Sequence, residues 1–232
     1  MNSVRIDLTK RIEEATNYIE YIKKLENLGR PLSDTYNSLF PDSDILSLKT
    51  TMKASSCLIL YNIVESTATK CLSRIHEIII SERLYYSGLN ISIQKIILTY
   101  YENALYQIDD VSKNIEHRYK QIELIENRQC FDISFSDLTQ YYQMFSGNLD
   151  GKQIKNILKR YNIIYEAKCA ELKSVKDYRN TLAHGEMSFE EIGRQLSFQQ
   201  IESFKDKISE YLNGMILKVE EYISAKGYKN TP

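Results

Sequence analysis

Apolar residues recur at helical spacing along most of the chain, and breaks in the pattern are few. Between Arg5 and Leu28, Ile12, Ala15, Ile19, Ile22 and Leu25 fall on one face of a 3.6-residue period. Gly29 and Pro31 stop that helix, and 31–41 reads as a loop. Asp42 and Ser43 offer caps for a second helix that meets no Pro or Gly before Gly88. Its stripe of Ala54, Leu58, Tyr61, Ala68, Leu72, Ile75 and Ile79 is long enough to pack against several partners. From Ile91 to Glu126 the spacing of Ile97, Tyr101, Leu105, Ile108, Ile115, Tyr119 and Ile122 predicts helix again, with a bend or break near Asp109 and Asp110.

The rest of the chain is more finely divided. Cys130 to Phe135 alternates weakly and predicts an extended stretch, after which Ser136 or Asp137 caps a short helix to Phe145. Ser146-Gly147-Asn148-Leu149-Asp150-Gly151 is a turn cluster, and 152–161 is a short helix. Another helix runs from about Glu166 to Ala183 and stops at Gly185. The last runs from Ser197 to Ala225 and ends at Gly227. No internal repeat appears. The expected architecture is all-α: one helical domain over 1–232, with an insertion at 128–163 and a flexible tail at 226–232.

Composition supports this picture. Only 3 prolines and 8 glycines punctuate 232 residues, and 43% of the chain is hydrophobic, enough for a substantial core. The formal net charge of −1 excludes a globally basic nucleic-acid binder. Locally the balance differs: between 152 and 179 there are eight basic residues against three acidic ones. Lys168, Lys173 and Lys176 in that span are candidate RNA contacts. Tyr161 and Tyr165 can stack bases, but in a chain with 18 tyrosines core packing is the preferred reading. Cys57, Cys71, Cys130 and Cys169 form no CxxC pair and sit in apolar helical patterns. They read as free thiols, with no metal and no cofactor expected. No secretory leader and no membrane-length apolar run appears, so a soluble cytoplasmic protein is expected.

One segment carries pointed chemistry. Arg179-Asn180-Thr181-Leu182-Ala183-His184 lies at the end of a predicted helix, just before Gly185. Of the ten arginines and three histidines, only Arg179 and His184 are separated by four residues. Histidine titrates near neutrality and can move a proton to or from a ribose hydroxyl or a leaving oxygen. Arginine presents a charged planar fork matched to phosphate. Asn180, one turn before His184, can orient the imidazole or bind a phosphate oxygen. One imidazole does not readily serve as both base and acid in one in-line step, so a two-fold dimer is expected to complete the site. The plainer alternative is that both residues serve the helix C-terminus, where cations are favoured. Glu65, polar on an otherwise apolar stripe, is a candidate to orient Arg179 from a neighbouring helix; an edge position reaching water is the other reading.

An arginine, a polar residue, three more and a histidine near the end of a core helix resemble the signature of the HEPN superfamily. The chain most resembles the prokaryotic HEPN subfamily associated with restriction and toxin–antitoxin loci. Three further stretches carry the likeness: Leu60 to Thr67, Ser146 to Asp150 with the basic helix after it, and Ser188 to Arg194. The resemblance implies a helical bundle and a homodimer with facing motifs. It also implies a metal-independent endoribonuclease that leaves a 2′,3′-cyclic phosphate, serving as a toxin or anti-phage effector. Carried over, Arg179 and His184 are catalytic and Asn180 supports them, with RNA as substrate and an antitoxin or defence protein as partner. Some HEPN toxins have a tyrosine two residues after the histidine; here Glu186 stands there. The alternative is a non-catalytic HEPN module that binds RNA or a protein partner.

Overall fold

A helix of 40 residues, α2 (Asp42–Ser81), is the axis on which the other elements are assembled. The computed structural model describes residues 1–27, 42–144 and 148–230, and among them nine helices and no strand. The expected loop at 31–41 and the stop at Gly29 lie outside the described residues. Before α2 comes α1 (Asn2–Asn27), and after it α3 (Ile91–Gln107), α4 (Val111–Ile125) and α5 (Phe135–Tyr141). Then follow α6 (Gly151–Arg160), α7 (Ala170–Ala183), α8 (Phe189–Gln195) and α9 (Phe198–Ser224). Helices α1, α7, α8 and α9 all pack against α2. No helix among the described residues is long and apolar enough to cross a membrane.

Local chemistry sets the boundaries. Helix α2 ends at Ser81, short of Gly88, because the chain turns at Arg83 (φ 53°) to meet a distant segment. There the Phe131 N–H donates to the Leu84 carbonyl at 2.8 Å, and Tyr85 bridges to Cys130. The expected break near Asp110 is present: Asp110 caps α4 by accepting from the Lys113 N–H. Helix α5 starts earlier than expected. Ser134 is its cap, and Asp137 reaches back from the third helical position to close a capping box. Helix α7 starts at Ala170, not Glu166. The preceding segment stays extended, with Tyr165 buried and its hydroxyl donating to the Tyr211 carbonyl of α9 at 2.5 Å.

Two apolar clusters form the interior. The larger takes in α2 from Leu60 to Ile79, α3, Phe131 to Met144, Leu149, α6, the start of α7 and the second half of α9. Described residues of the 128–163 stretch contribute to this core, Tyr161 among them, and Tyr165 just beyond it is buried there too. The smaller cluster joins Ile19, Ala54 and Cys57 to Ile192, Leu196, Phe198 and Ile201. Gly193 makes the α8–α2 approach close, since a Cβ there would stand 1.9 Å from the Thr50 carbonyl oxygen. Helix α4 departs from its pattern: Val111, Ile115, Tyr119 and Ile122 face water, and only Leu124 of that helix is buried. The expected flexible tail begins with held residues. Tyr228 is buried, Lys229 pairs with Glu82 at 2.7 Å, and the Asn230 N–H donates to the Gly88 carbonyl.

Candidate functional site

Helix α7 presents the motif because its apolar residues fix its rotation. Leu172 and Val175 are buried in the main core, and Tyr178 and Leu182 pack on the smaller cluster. That stripe leaves Arg179 and Asn180 half-buried at its border and His184 exposed. The helix ends in a Schellman arrangement. Gly185 takes φ +68°, the Gly185 N–H donates to the Leu182 carbonyl at 3.2 Å, and the Glu186 N–H donates to the Thr181 carbonyl at 3.0 Å. His184 is thereby fixed as the capping residue, with its own N–H on the Asn180 carbonyl.

Tyr61 of α2 is the hub beneath the motif. It is 1% exposed, and the Arg179 guanidinium lies over its ring, 5.0 Å from the centroid. The Tyr61 hydroxyl accepts the Leu149 N–H at 2.9 Å, so the ring and the 148–150 segment are locked together. Burial drives the phenol up to about 12. The Glu65 carboxylate adds to the rise, while the Leu149 N–H and the Arg179 guanidinium oppose it. Glu65 and Arg179 thus meet through Tyr61, one acting on its hydroxyl and the other on its ring.

A second set of contacts ties the same segment to α7. Arg179 Nη1 donates to Asn180 Oδ1 at 3.1 Å, and Asn180 Nδ2 donates to Asn148 Oδ1 at 2.8 Å. Asp150 caps α6 by accepting the Gln153 N–H and pairs with Lys176 at 2.7 Å, both side chains being 17% exposed. Burial pushes the Asp150 carboxyl up, but Lys176 and the Gln153 N–H outweigh it and hold the group below the usual carboxylate range. Lys176 is therefore engaged within the fold. Lys168, in the extended segment, and Lys173, on α7, are exposed. The His184 side chain makes no hydrogen bond or ion pair among the described residues. His76 lies elsewhere, buried against Phe131, Phe135 and Tyr161, and His117 stacks edge-on with Tyr101 and Tyr141.

The family model described as HEPN_MAE_28990-like HEPN matches residues 2–228, nearly the whole chain. The chain belongs to the HEPN family. No curated protein and no solved structure matches it. The match takes in α2, the 148–150 segment and α7, so the elements around the Arg179–His184 segment all lie within the HEPN region.

The Arg179–His184 segment is readable from the sequence, whereas Tyr61, Asn148 and Asp150, the residues that hold it, are not among the expected site residues. The signal for Tyr61 is its place one turn before Glu65, the polar break in the α2 stripe. Asn148 and Asp150 are visible in the sequence as turn formers and within a stretch that carries the HEPN likeness, with no role beside Arg179 assigned to them.

Proposed function

We propose that this HEPN chain is a metal-independent endoribonuclease whose active site is completed by a second copy. The observation behind the reading is the helix end itself. Arg179 is seated by the Tyr61 ring and the Asn180 amide, while His184 stands exposed at the cap with its imidazole unengaged among the described residues. The reaction follows from those groups. One His184 removes the proton from a ribose 2′-hydroxyl. The 2′-oxygen bonds to the adjacent phosphorus, and the bond to the 5′-oxygen breaks. His184 of the second copy returns a proton to the departing 5′-oxygen. Arg179 stabilises the charge that gathers on the phosphoryl oxygens. The products are a 2′,3′-cyclic phosphate and a 5′-hydroxyl. Asn180, held by Asn148, keeps Arg179 in place. The biological setting we assign is a toxin or anti-phage defence effector, restrained by a cognate protein partner in the cytoplasm.

RNA cleavage in the presence of EDTA tests the reading. The His184→Ala chain should lose about 10²–10⁴ of the wild-type rate, the range removed with a general acid–base group. Equal rates in both, or no cleavage by a folded wild-type dimer, would overturn it.

A further inference from the structure

A cleft of about 240 Å³ opens between α3 and the end of α6. Its walls include Ser92, Lys95 and Thr99 of α3, Tyr142, and Lys159 and Arg160 of α6. Three cations therefore converge on one concavity in a chain of net charge −1. Among the described residues no carboxylate lines the cleft, and none of the three cations forms an ion pair. Their neighbours in the basic segment behave differently, for Lys155 pairs with Glu166 and Lys176 with Asp150.

Position along the helices explains part of this cluster and leaves part unexplained. Lys159 and Arg160 sit in the last turn of α6, where cations complement the helix dipole. Lys95 has no such reason. It is the fifth residue of α3, a helix of 17 residues, far from the C-terminal end where a cation is favoured. Three like charges without a counter-charge repel one another, and an anion in the cleft removes that penalty. The arginine is already oriented for one. Its guanidinium stacks on the Tyr142 ring, 5.2 Å from the centroid, and Nη1 donates to the Tyr142 hydroxyl. A planar donor fork fixed in this way suits the paired oxygens of a phosphate.

The place of the cleft relative to the motif names the ligand. Helix α6 is capped by Asp150, which is joined to α7 through Lys176, and ends at Arg160 in the cleft. Its 10 residues span about 15 Å. We propose that this cleft seats a backbone phosphate of the same single-stranded RNA that enters the Arg179–His184 site, a few nucleotides away. The proposal rests on the ribonuclease reading for its substrate. Lys95, which lies outside the basic run at 152–179, is the residue that turns a charged helix end into a seat.

Binding of a 2′-O-methylated, uncleavable RNA oligomer, followed by fluorescence anisotropy against salt, tests the seat without involving catalysis. The Lys95→Ala/Lys159→Ala/Arg160→Ala chain should bind severalfold more weakly. The salt dependence of its log affinity should flatten by about 0.7 for each phosphate of a single strand that the variant no longer neutralises. The Lys95→Arg/Lys159→Arg chain, which keeps the charge, should bind as wild type does. Inorganic phosphate at matched ionic strength should not displace the oligomer. An unchanged affinity and slope in the triple alanine variant overturns the seat even if wild type cleaves RNA. Displacement by inorganic phosphate at low concentration, with no change in slope, assigns the cleft to a small phosphate and also overturns it. Loss of binding in the triple variant of a chain that cleaves no RNA leaves the seat standing and removes the ribonuclease reading alone.

Discussion

Replacing Tyr61 with phenylalanine isolates one atom of the hub. The ring survives, so the Arg179 guanidinium keeps its face-on position. The hydroxyl is removed, and with it the only acceptor described for the Leu149 N–H, a 2.9 Å bond. Leu149 is 0% exposed and Tyr61 1%, so water cannot readily replace the bond. A buried N–H left without a partner costs about 1–3 kcal/mol. For a domain of this size each kcal/mol moves the melting temperature by about 2–4 °C, so Tyr61→Phe should melt roughly 2–12 °C below wild type. Far-UV circular dichroism on heating measures this. Tyr61→Leu removes the ring as well and should melt lower still, by a cation–π contribution of about 0.5–2 kcal/mol together with the missing aromatic packing. At a temperature where Tyr61→Phe is fully folded, RNA cleavage should fall, because the segment bearing Asn148 no longer has its anchor. A Tyr61→Phe chain that melts with wild type would refute the idea that this hydroxyl locks the 148–150 segment.

Two further predictions address the scaffold. Gly193→Ala drives a methyl group toward the Thr50 backbone, which cannot rotate aside, so it should lower stability by about 1–3 kcal/mol or more; the urea midpoint reads the change. His76 gives a pH signature. Burial lowers its folded pKa from 6.5 to about 4, while the bond to the Ile133 carbonyl opposes the shift. The unfolded chain therefore takes up a proton that the folded chain refuses, and the stability from this group, complete above about 6.5, is lost as pH falls to about 4. His76→Phe should be less stable at neutral pH, since both ring nitrogens are bonded, to the Ile133 carbonyl and the Tyr161 hydroxyl. It should also show a shallower decline on acidification; an equal decline in both chains would mean that carboxylates alone govern the acid limb.

Much of the helical order is legible in the sequence because several helices begin or end on a local signal that needs no partner. Gly185 stops α7 and Asp110 starts α4 by chemistry confined to one turn. Expectation and structure part where a distant interaction overrides the local pattern. Glu166 to Cys169 has helical composition but stays extended, with Tyr165 tied to Tyr211. Helix α8, only 7 residues long, is too short for periodicity to register; its Ser188–Glu191 capping box is the available signal. The stripe of α4 is periodic as expected, but a periodic stripe does not say what covers it. The site shows the same division. The Arg179–His184 spacing lies within one helix and can be read from it, whereas Tyr61 and Asn148 reach the motif only through tertiary packing.

The order of the elements along the chain also bears on when the motif acquires its geometry. Helix α7 is joined to α9 by direct packing, and the segment leading into α7 is pinned to α9 by Tyr165. Translation delivers Arg179 and His184 before any of residues 198–224. A chain still on the ribosome thus carries the motif without the helix that completes the main core around it. Final packing of the Arg179–His184 helix is in this way deferred to a late stage of synthesis, so in nascent and prematurely terminated chains α7 and the Tyr165 segment should lack the helix they dock on.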